Sequence, residues 1–203
     1  MILNKNDYKY YLQQDAIANG CGRYKNLNFL LKIKNLFVPN RILHFLKILR
    51  RVEYLSNCGT SPIDKLFLFY YKRKLRNVQL KLGFSIPLNV FGPGLSIPHD
   101  GTIIVNQNAK IGAFCRLHAC VNIGASGGGN LAPQIGDNCY IGPSTVIFGG
   151  IKIANNVTIG ANATVNRSFE EDNITIAGTP AKIVKRETQS WVSFNNININ
   201  DKN

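Results

Sequence analysis

The sequence predicts a mainly β fold, a parallel β-helix built from hexad repeats and preceded by an α-helical region. Three observations carry this. An aliphatic residue returns every six positions after Gly83, glycine and asparagine crowd around those positions, and the helical spacing that precedes Gly83 stops there.

The hexad register runs through Val105, Ile111, Leu117, Ile123, Ile135, Ile141, Ile147, Ile153, Ile159 and Val165. A single strand alternates with period two and a helix repeats every 3.6 residues, so neither produces this pattern. A solenoid does. Each hexad supplies a short strand and a tight turn, and three hexads, about eighteen residues, close one triangular coil. The repeated aliphatics stack from coil to coil into a narrow core. Glycine and asparagine suit the corners, where the backbone needs positive φ. One interruption breaks the pattern: GASGGGNLAPQ between Ile123 and Ile135 puts Gly129 where an aliphatic is due. It reads as a loop ejected from the coil, either a functional excursion or a flexible spacer.

Ahead of Gly83, Ile42, Phe45, Leu46, Leu49 and Val52 recur at three- and four-residue spacing and predict a helix over 41–55. Ser61-Pro62-Ile63-Asp64 supplies an N-cap, a first-turn proline and an acidic third position. Ile63, Leu66, Phe67 and Tyr70 are expected to form the buried stripe of that second helix, which should end before Gly83. Residues 7–38 are expected to be helical in part. The organisation is thus a basic helical region over 1–83, the solenoid over 84–186 and a polar tail over 187–203.

The 203 residues, 45% hydrophobic, suffice for one domain with a smaller appendage and exclude wholesale disorder. No apolar run reaches the 18–20 or so residues that span a bilayer. The start, MILNKNDYKYYLQQD, has acidic and amide residues where a signal peptide needs an apolar stretch. A cytoplasmic protein is expected. Cys21, Cys58, Cys115, Cys120 and Cys139 are odd in number and show no paired close spacing. They suggest neither a disulfide framework nor a zinc site, and read as buried free thiols. Most of the net charge of +13 comes from residues 21–84, where only Glu53 and Asp64 oppose a dense set of lysines and arginines. That block is either a solvated helix face or a surface for an anionic partner.

The chain has three histidines. His44 lies in the helical region and reads as a packing or surface residue. His99 and His118 are nineteen residues apart, close to one coil, and should meet on successive coils. Such a pair is either a site or a structural feature. Strict extrapolation of the hexad register back from Val105 would turn His99 inward.

Four segments carry a resemblance: GLSIPHDGTIIVNQNAKIG, VNIGASGGG, IGPSTVIFGGIKIANNVTIGANATV and IAGTPAKIV. Over roughly 83–185 the chain resembles the hexapeptide-repeat acyltransferases, within them the serine acetyltransferase branch. The resemblance implies a left-handed β-helix, acetyl-coenzyme A as co-substrate without any metal, and a homotrimer whose sites are shared between neighbouring solenoids. It implies that His99 deprotonates an acceptor hydroxyl, which then attacks the acetyl thioester. A hydroxyl needs such a base, and the developing oxyanion needs a donor such as a backbone N–H. It implies a coenzyme A groove between coils of neighbouring subunits, where pantetheine meets backbone groups near Thr145 and Ala163, with Thr179 and Lys182 towards the phosphate or adenine end.

The chain departs from that branch at the acceptor. The branch closes its glycine-rich loop with Arg-His-Pro, which handles the amino acid's carboxylate; here Leu131-Ala132-Pro133 stand there. Pro98 replaces the aspartate before the catalytic histidine, and Ser85 falls near the place of the aspartate that orients it. Asp100 is the nearest substitute, and His118 and Ser85 are expected beside the acceptor. These departures argue against free L-serine as acceptor. Residues 81–124 resemble more closely the serine-acetyltransferase-like enzymes of bacterial capsule, exopolysaccharide and lipopolysaccharide assembly, which implies a sugar hydroxyl of a bacterial surface polysaccharide as acceptor, with serine as the alternative. The basic helices would then recruit an anionic or lipid-linked glycan at the inner membrane face, by peripheral contact. No nucleic-acid partner is expected. A non-enzymatic scaffold or membrane-binding module would explain the helices and the solenoid but not His99. A β-helical carbonic anhydrase would need a third solenoid histidine. A nucleotide-sugar N-acetyltransferase would carry a glycine-rich dinucleotide-type fold first.

Overall fold

The computed structural model describes residues 1–20, 40–195 and 197. Three helices lead into the solenoid: α1 (Lys5–Ala18), α2 (Arg41–Cys58) and α3 (Pro62–Leu82). The expected helix over 41–55 runs three residues further, to Cys58. Ser61 caps α3 as its sequence predicts: its hydroxyl accepts from the Asp64 N–H while the Asp64 carboxylate accepts from the Ser61 N–H. Gly83, at φ 78°, ends α3 in the left-handed region. The expected helix over 7–38 is present as α1 up to Ala18, and 21–39 lies outside the described residues.

The buried stripe of α3 is not the one the sequence suggests. Ile63, Leu66, Phe67 and Tyr70 are exposed, while Leu75 and Leu82 are buried and Leu68, Tyr71 and Val78 pack beside them. Both rows are apolar, so helical periodicity alone does not choose between them; packing against α2 does.

Beyond Gly83 the strands form the three faces of a parallel solenoid. One face holds β1 (Phe84–Ser85), β2 (Ile103–Val105), β5 (Val121–Gly124), β8 (Val146–Phe148) and β11 (Thr164–Val165). The second holds β4 (Arg116–Leu117), β7 (Tyr140–Ile141), β10 (Thr158–Ile159), β12 (Thr175–Ala177) and β13 (Lys182–Lys185). The third holds β3 (Lys110–Ile111), β6 (Gln134–Ile135) and β9 (Lys152–Ile153). Only β12 and β13 pair antiparallel, which closes the last coil.

Register places every hexad aliphatic on its equivalent one coil away: Val105 on Ile123 on Ile147, Leu117 on Ile141 on Ile159, and Ile111 on Ile135 on Ile153. All ten hexad positions are buried, which makes the continuous core expected of a solenoid. Asparagines 138, 156, 162 and 173 take positive φ at corners, but so do Phe114, Cys120 and Ser144.

The thiol expectation holds only in part. Cys115 and Cys139 are buried free thiols, Cys58 is half-buried, Cys120 is exposed at a corner, and Cys21 lies outside the described residues. The 187–203 tail does more than its polarity suggests. Its helix α4 (Trp191–Phe194) buries Trp191 and Val192 against Phe114 and Ala18, and the Trp191 indole N–H donates to the Phe114 carbonyl at 2.8 Å. No helix of the described residues is long and apolar enough to cross a membrane.

Candidate active site

His99 lies at the corner between the second and first faces. On the next coil, inward Leu117 and Val121 are joined by His118-Ala119-Cys120. One coil earlier, inward Ile97 and Ile103 are joined by the longer run Pro98-His99-Asp100-Gly101-Thr102. Those two added residues push the corner outward. His99 is therefore exposed, and the strict extrapolation that turned it inward fails for this reason.

The helical region braces this corner. The Gly101 N–H donates to the Leu82 carbonyl at 3.0 Å and the Ile103 N–H to the Gly83 carbonyl at 3.1 Å. Gly101 sits at φ 134°, and a Cβ there would come within 3.0 Å of the Ala119 Cβ. Glycine is the residue that allows this close stacking of corners.

His99 and His118 meet as their spacing predicts, with ring centroids 6.4 Å apart. His118 also leans on Tyr140, at 4.9 Å. Its Nε2 is buried without a hydrogen-bond partner. Burial lowers the His118 pKa, and the charges of Arg116 and His99 lower it further, so the neutral ring is favoured. Arg116, two residues before His118, donates from Nη1 to the buried Ser96 hydroxyl at 3.2 Å, and Trp191 covers its guanidinium at 5.3 Å. Sequence reading missed this neighbourhood, because its members come from the first coil, β4, β7 and the C-terminal helix.

Other expected site residues are placed differently. Asp100 pairs with Arg41 at 4.0 Å, both exposed, rather than orienting His99. Ser85 is exposed on β1, in register with Ile104 on the first face. Thr145 is fully buried, its hydroxyl donating to the Gly142 and Gly160 carbonyls at 2.8 and 3.2 Å. Ala163 is fully buried, and its carbonyl accepts from the Val146 N–H. The side chains of Thr145 and Ala163 therefore belong to the core, which leaves only their backbone to line a groove. Thr179 and Lys182 are exposed, with the Thr179 hydroxyl 3.2 Å from that of Thr164. His44 lies on the surface of α2.

The ejected loop is present. Leu131 is 75% exposed, and its Cβ lies 2.9 Å from where a Cβ on Gly150 would stand. A groove of about 750 Å³ runs along the third face, lined by Lys110, Gln134, Lys152 and Asp172 among others. It contains none of the site residues above. Among the described residues no cluster of three potential metal ligands occurs.

The family profile for the bacterial transferase hexapeptide (six repeats) matches residues 132–167. That match spans β6 to β11 of the solenoid. Relatives extend the likeness to most of the chain. A serine acetyltransferase of Staphylococcus aureus strain Mu50 is 35% identical over 143 residues, 70% of this chain and 61% of the relative. One from Synechococcus elongatus is 28% identical over 127 residues, 62% of this chain and 50% of that protein. The chain thus spans about half to three-fifths of the length of these relatives. The crystal structure of a Neisseria gonorrhoeae serine acetyltransferase superposes with TM-score 0.67 at 25% identity, covering 96% of this chain and 73% of that one. A Brucella abortus serine acetyltransferase in complex with coenzyme A gives TM-score 0.67 at 21% identity, covering 92% and 70%. The fold is the left-handed β-helix that the hexapeptide-repeat resemblance implies.

Proposed function

We propose that this chain is an acetyl-coenzyme A-dependent O-acetyltransferase, with His99 as general base and the hydroxyl of L-serine as acceptor. The observation that carries the reading is the lengthened corner, which sets His99 outward beside a second histidine at 6.4 Å. The acceptor oxygen attacks the thioester carbonyl carbon while its proton passes to His99. The C–S bond breaks, and the leaving thiolate takes that proton from His99, so the base is regenerated. His118, kept neutral by burial and its neighbours, leaves the histidine pair without a second positive charge that would oppose proton uptake.

Serine is preferred to a polysaccharide hydroxyl because the similar curated proteins are named serine acetyltransferases. The comparisons lend no support to the capsule or surface-glycan acceptor suggested by Leu131-Ala132-Pro133. A sugar hydroxyl stays as the second reading on that one feature: a 75% exposed leucine stands where a carboxylate-binding arginine would be needed. The non-enzymatic scaffold loses ground for the same reason that serine gains it.

In this reading the active unit is a homotrimer. His99 is exposed on one protomer, and the groove of this protomer runs along another face. A neighbouring solenoid would supply the missing wall, with Thr179 and Lys182 towards the phosphate or adenine end of coenzyme A. The test is formation of O-acetylserine from acetyl-coenzyme A and L-serine, followed by mass spectrometry. His99→Ala is expected to lower kcat by about a hundred- to ten-thousandfold. A variant with more than a tenth of the parent rate would remove His99 from the reaction. A silent serine reaction beside a His99-dependent reaction on a glycan would move the assignment to the second reading.

A further inference from the structure

We infer that Arg116 binds a carboxylate of the acceptor, taking the role that the loop, with Leu131, has given up. The inference rests on the acetyltransferase reading above and adds to it the residue that selects the acceptor.

Arg116 has the surroundings of a binding residue. Its one hydrogen-bond partner among the described residues is the neutral Ser96 hydroxyl, at 3.2 Å. None of the four ion pairs among the described residues includes it. Arg50 makes the contrast plain: it is fully buried, whereas Arg116 is half-buried, and two carboxylates hold Arg50. A guanidinium has five N–H donors, and Arg116 commits one of them to Ser96. Trp191 covers it at 5.3 Å, and Trp191 is itself pinned by its bond to the Phe114 carbonyl. The arginine is thus oriented by a stack and a hydroxyl, and burial of its charge is left uncompensated by any anion.

Its position fits the same ligand. Residues two apart on a strand share a face and lie about 6.5–7 Å apart, so Arg116 flanks His118. His118 in turn lies 6.4 Å from His99. The charge of Arg116 is felt at the His118 ring together with that of His99. A small hydroxy acid laid across His118 would present its hydroxyl to His99 and its carboxylate to Arg116. The carboxylate of serine and that of a uronic sugar share this chemistry, and the experiment separates them.

Steady-state acetylation by the full-length protein would be measured with L-serine, L-serinamide, glucuronate and glucose, for the parent, Arg116→Gln and Arg116→Lys. Circular dichroism of each variant would confirm folding. For whichever carboxylate acceptor turns over, Arg116→Gln should raise KM by about 10- to 100-fold, the scale of a charge-assisted pair. The KM of its uncharged analogue and of acetyl-coenzyme A should stay unchanged. Arg116→Lys should restore part of the loss, since it keeps the charge without the planar fork. Equal effects on charged and uncharged acceptors, or no effect on either, would overturn the role of Arg116 and leave the acetyltransferase reading standing. Turnover of an uncharged acceptor alone would overturn the role of Arg116 only, and no turnover of any of the four acceptors would overturn both.

Discussion

Replacing Arg50 by methionine should detach the helical layer from the first coil. Arg50 is fully buried and makes five hydrogen bonds: to Asp15 through Nε and Nη2, to Glu53 and the Phe91 carbonyl through Nη1, and to the Gly92 carbonyl through Nη2. Burial works against its charge, but Asp15 and Glu53 outweigh that and raise its pKa. Asp15 also accepts from the Gly94 and Leu95 N–H groups, and Glu53 from that of Asn89. The cluster therefore ties α1 and α2 to the segment 89–95 that leads into the His99 corner. Methionine fills much of the volume but leaves two carboxylates buried without a cation. Breaking a buried pair in this way costs about 3–5 kcal/mol. In urea, with an m-value near 3 kcal/mol per M, the midpoint should fall by roughly 1–2 M at fixed protein concentration, followed by circular dichroism. The triple variant Asp15→Asn, Arg50→Met, Glu53→Gln, with no charge left in the cluster, should recover a large part of the loss. A shift under about 0.3 M for Arg50→Met, or no recovery in the triple variant, would refute the account of the cluster as a charge clamp.

Two further outcomes are expected. The His118 ring should titrate below its ordinary value in an NMR pH series, and Arg116→Gln should bring it part of the way back up by removing a positive neighbour. Because the folded pKa is depressed, the stability His118 contributes is complete above about 6.5 and is lost as pH falls through the folded value; His118→Gln should remove that part of the acid-side fall in Tm. The outer face of α3 joins exposed Leu66, Phe69 and Tyr70 to Lys72, Arg73, Lys74 and Arg76, and no ion pair among the described residues involves these cations. An anionic bilayer suits this face better than a second copy, which would set like charges against each other. Phosphatidylglycerol vesicles should pellet the protein at about 50 mM salt and release it near 500 mM, whereas phosphatidylcholine vesicles should not bind. Salt-independent pelleting, or a Phe69→Glu variant that changes only the oligomeric state in light scattering, would assign the face to another copy.

What the sequence made legible was periodic. The hexads announced the stacked core, the Ser61 and Asp64 pair announced the start of α3, and the near-eighteen spacing of His99 and His118 announced their meeting. What it hid was any choice between equivalent patterns and any contact made once. Two apolar rows on α3 looked alike until α2 selected Leu75 and Leu82. Thr145 and Ala163, stacked by their eighteen-residue spacing, gave no sign of which way their side chains face, and both are fully buried. Trp191, far along the chain in a polar tail, gave no sign that it would cover Arg116.

The lengthened corner explains why the candidate site sits where it does. A regular solenoid offers little freedom to a reactive group, because its inward positions are stacked and its corners are three-residue turns between successive inward residues, as at 118–120. Chemistry then concentrates where the repeat is broken. Among the described residues the chain lengthens it at the corner of 98–102 and at the loop between Ile123 and Ile135. Only the first break carries a base. The second, ending in Leu131, carries an apolar tip and no cationic side chain. On the proposed reading, a cation for the acceptor's carboxylate comes instead from the regular part of the coil, where Arg116 is placed beside the histidine pair.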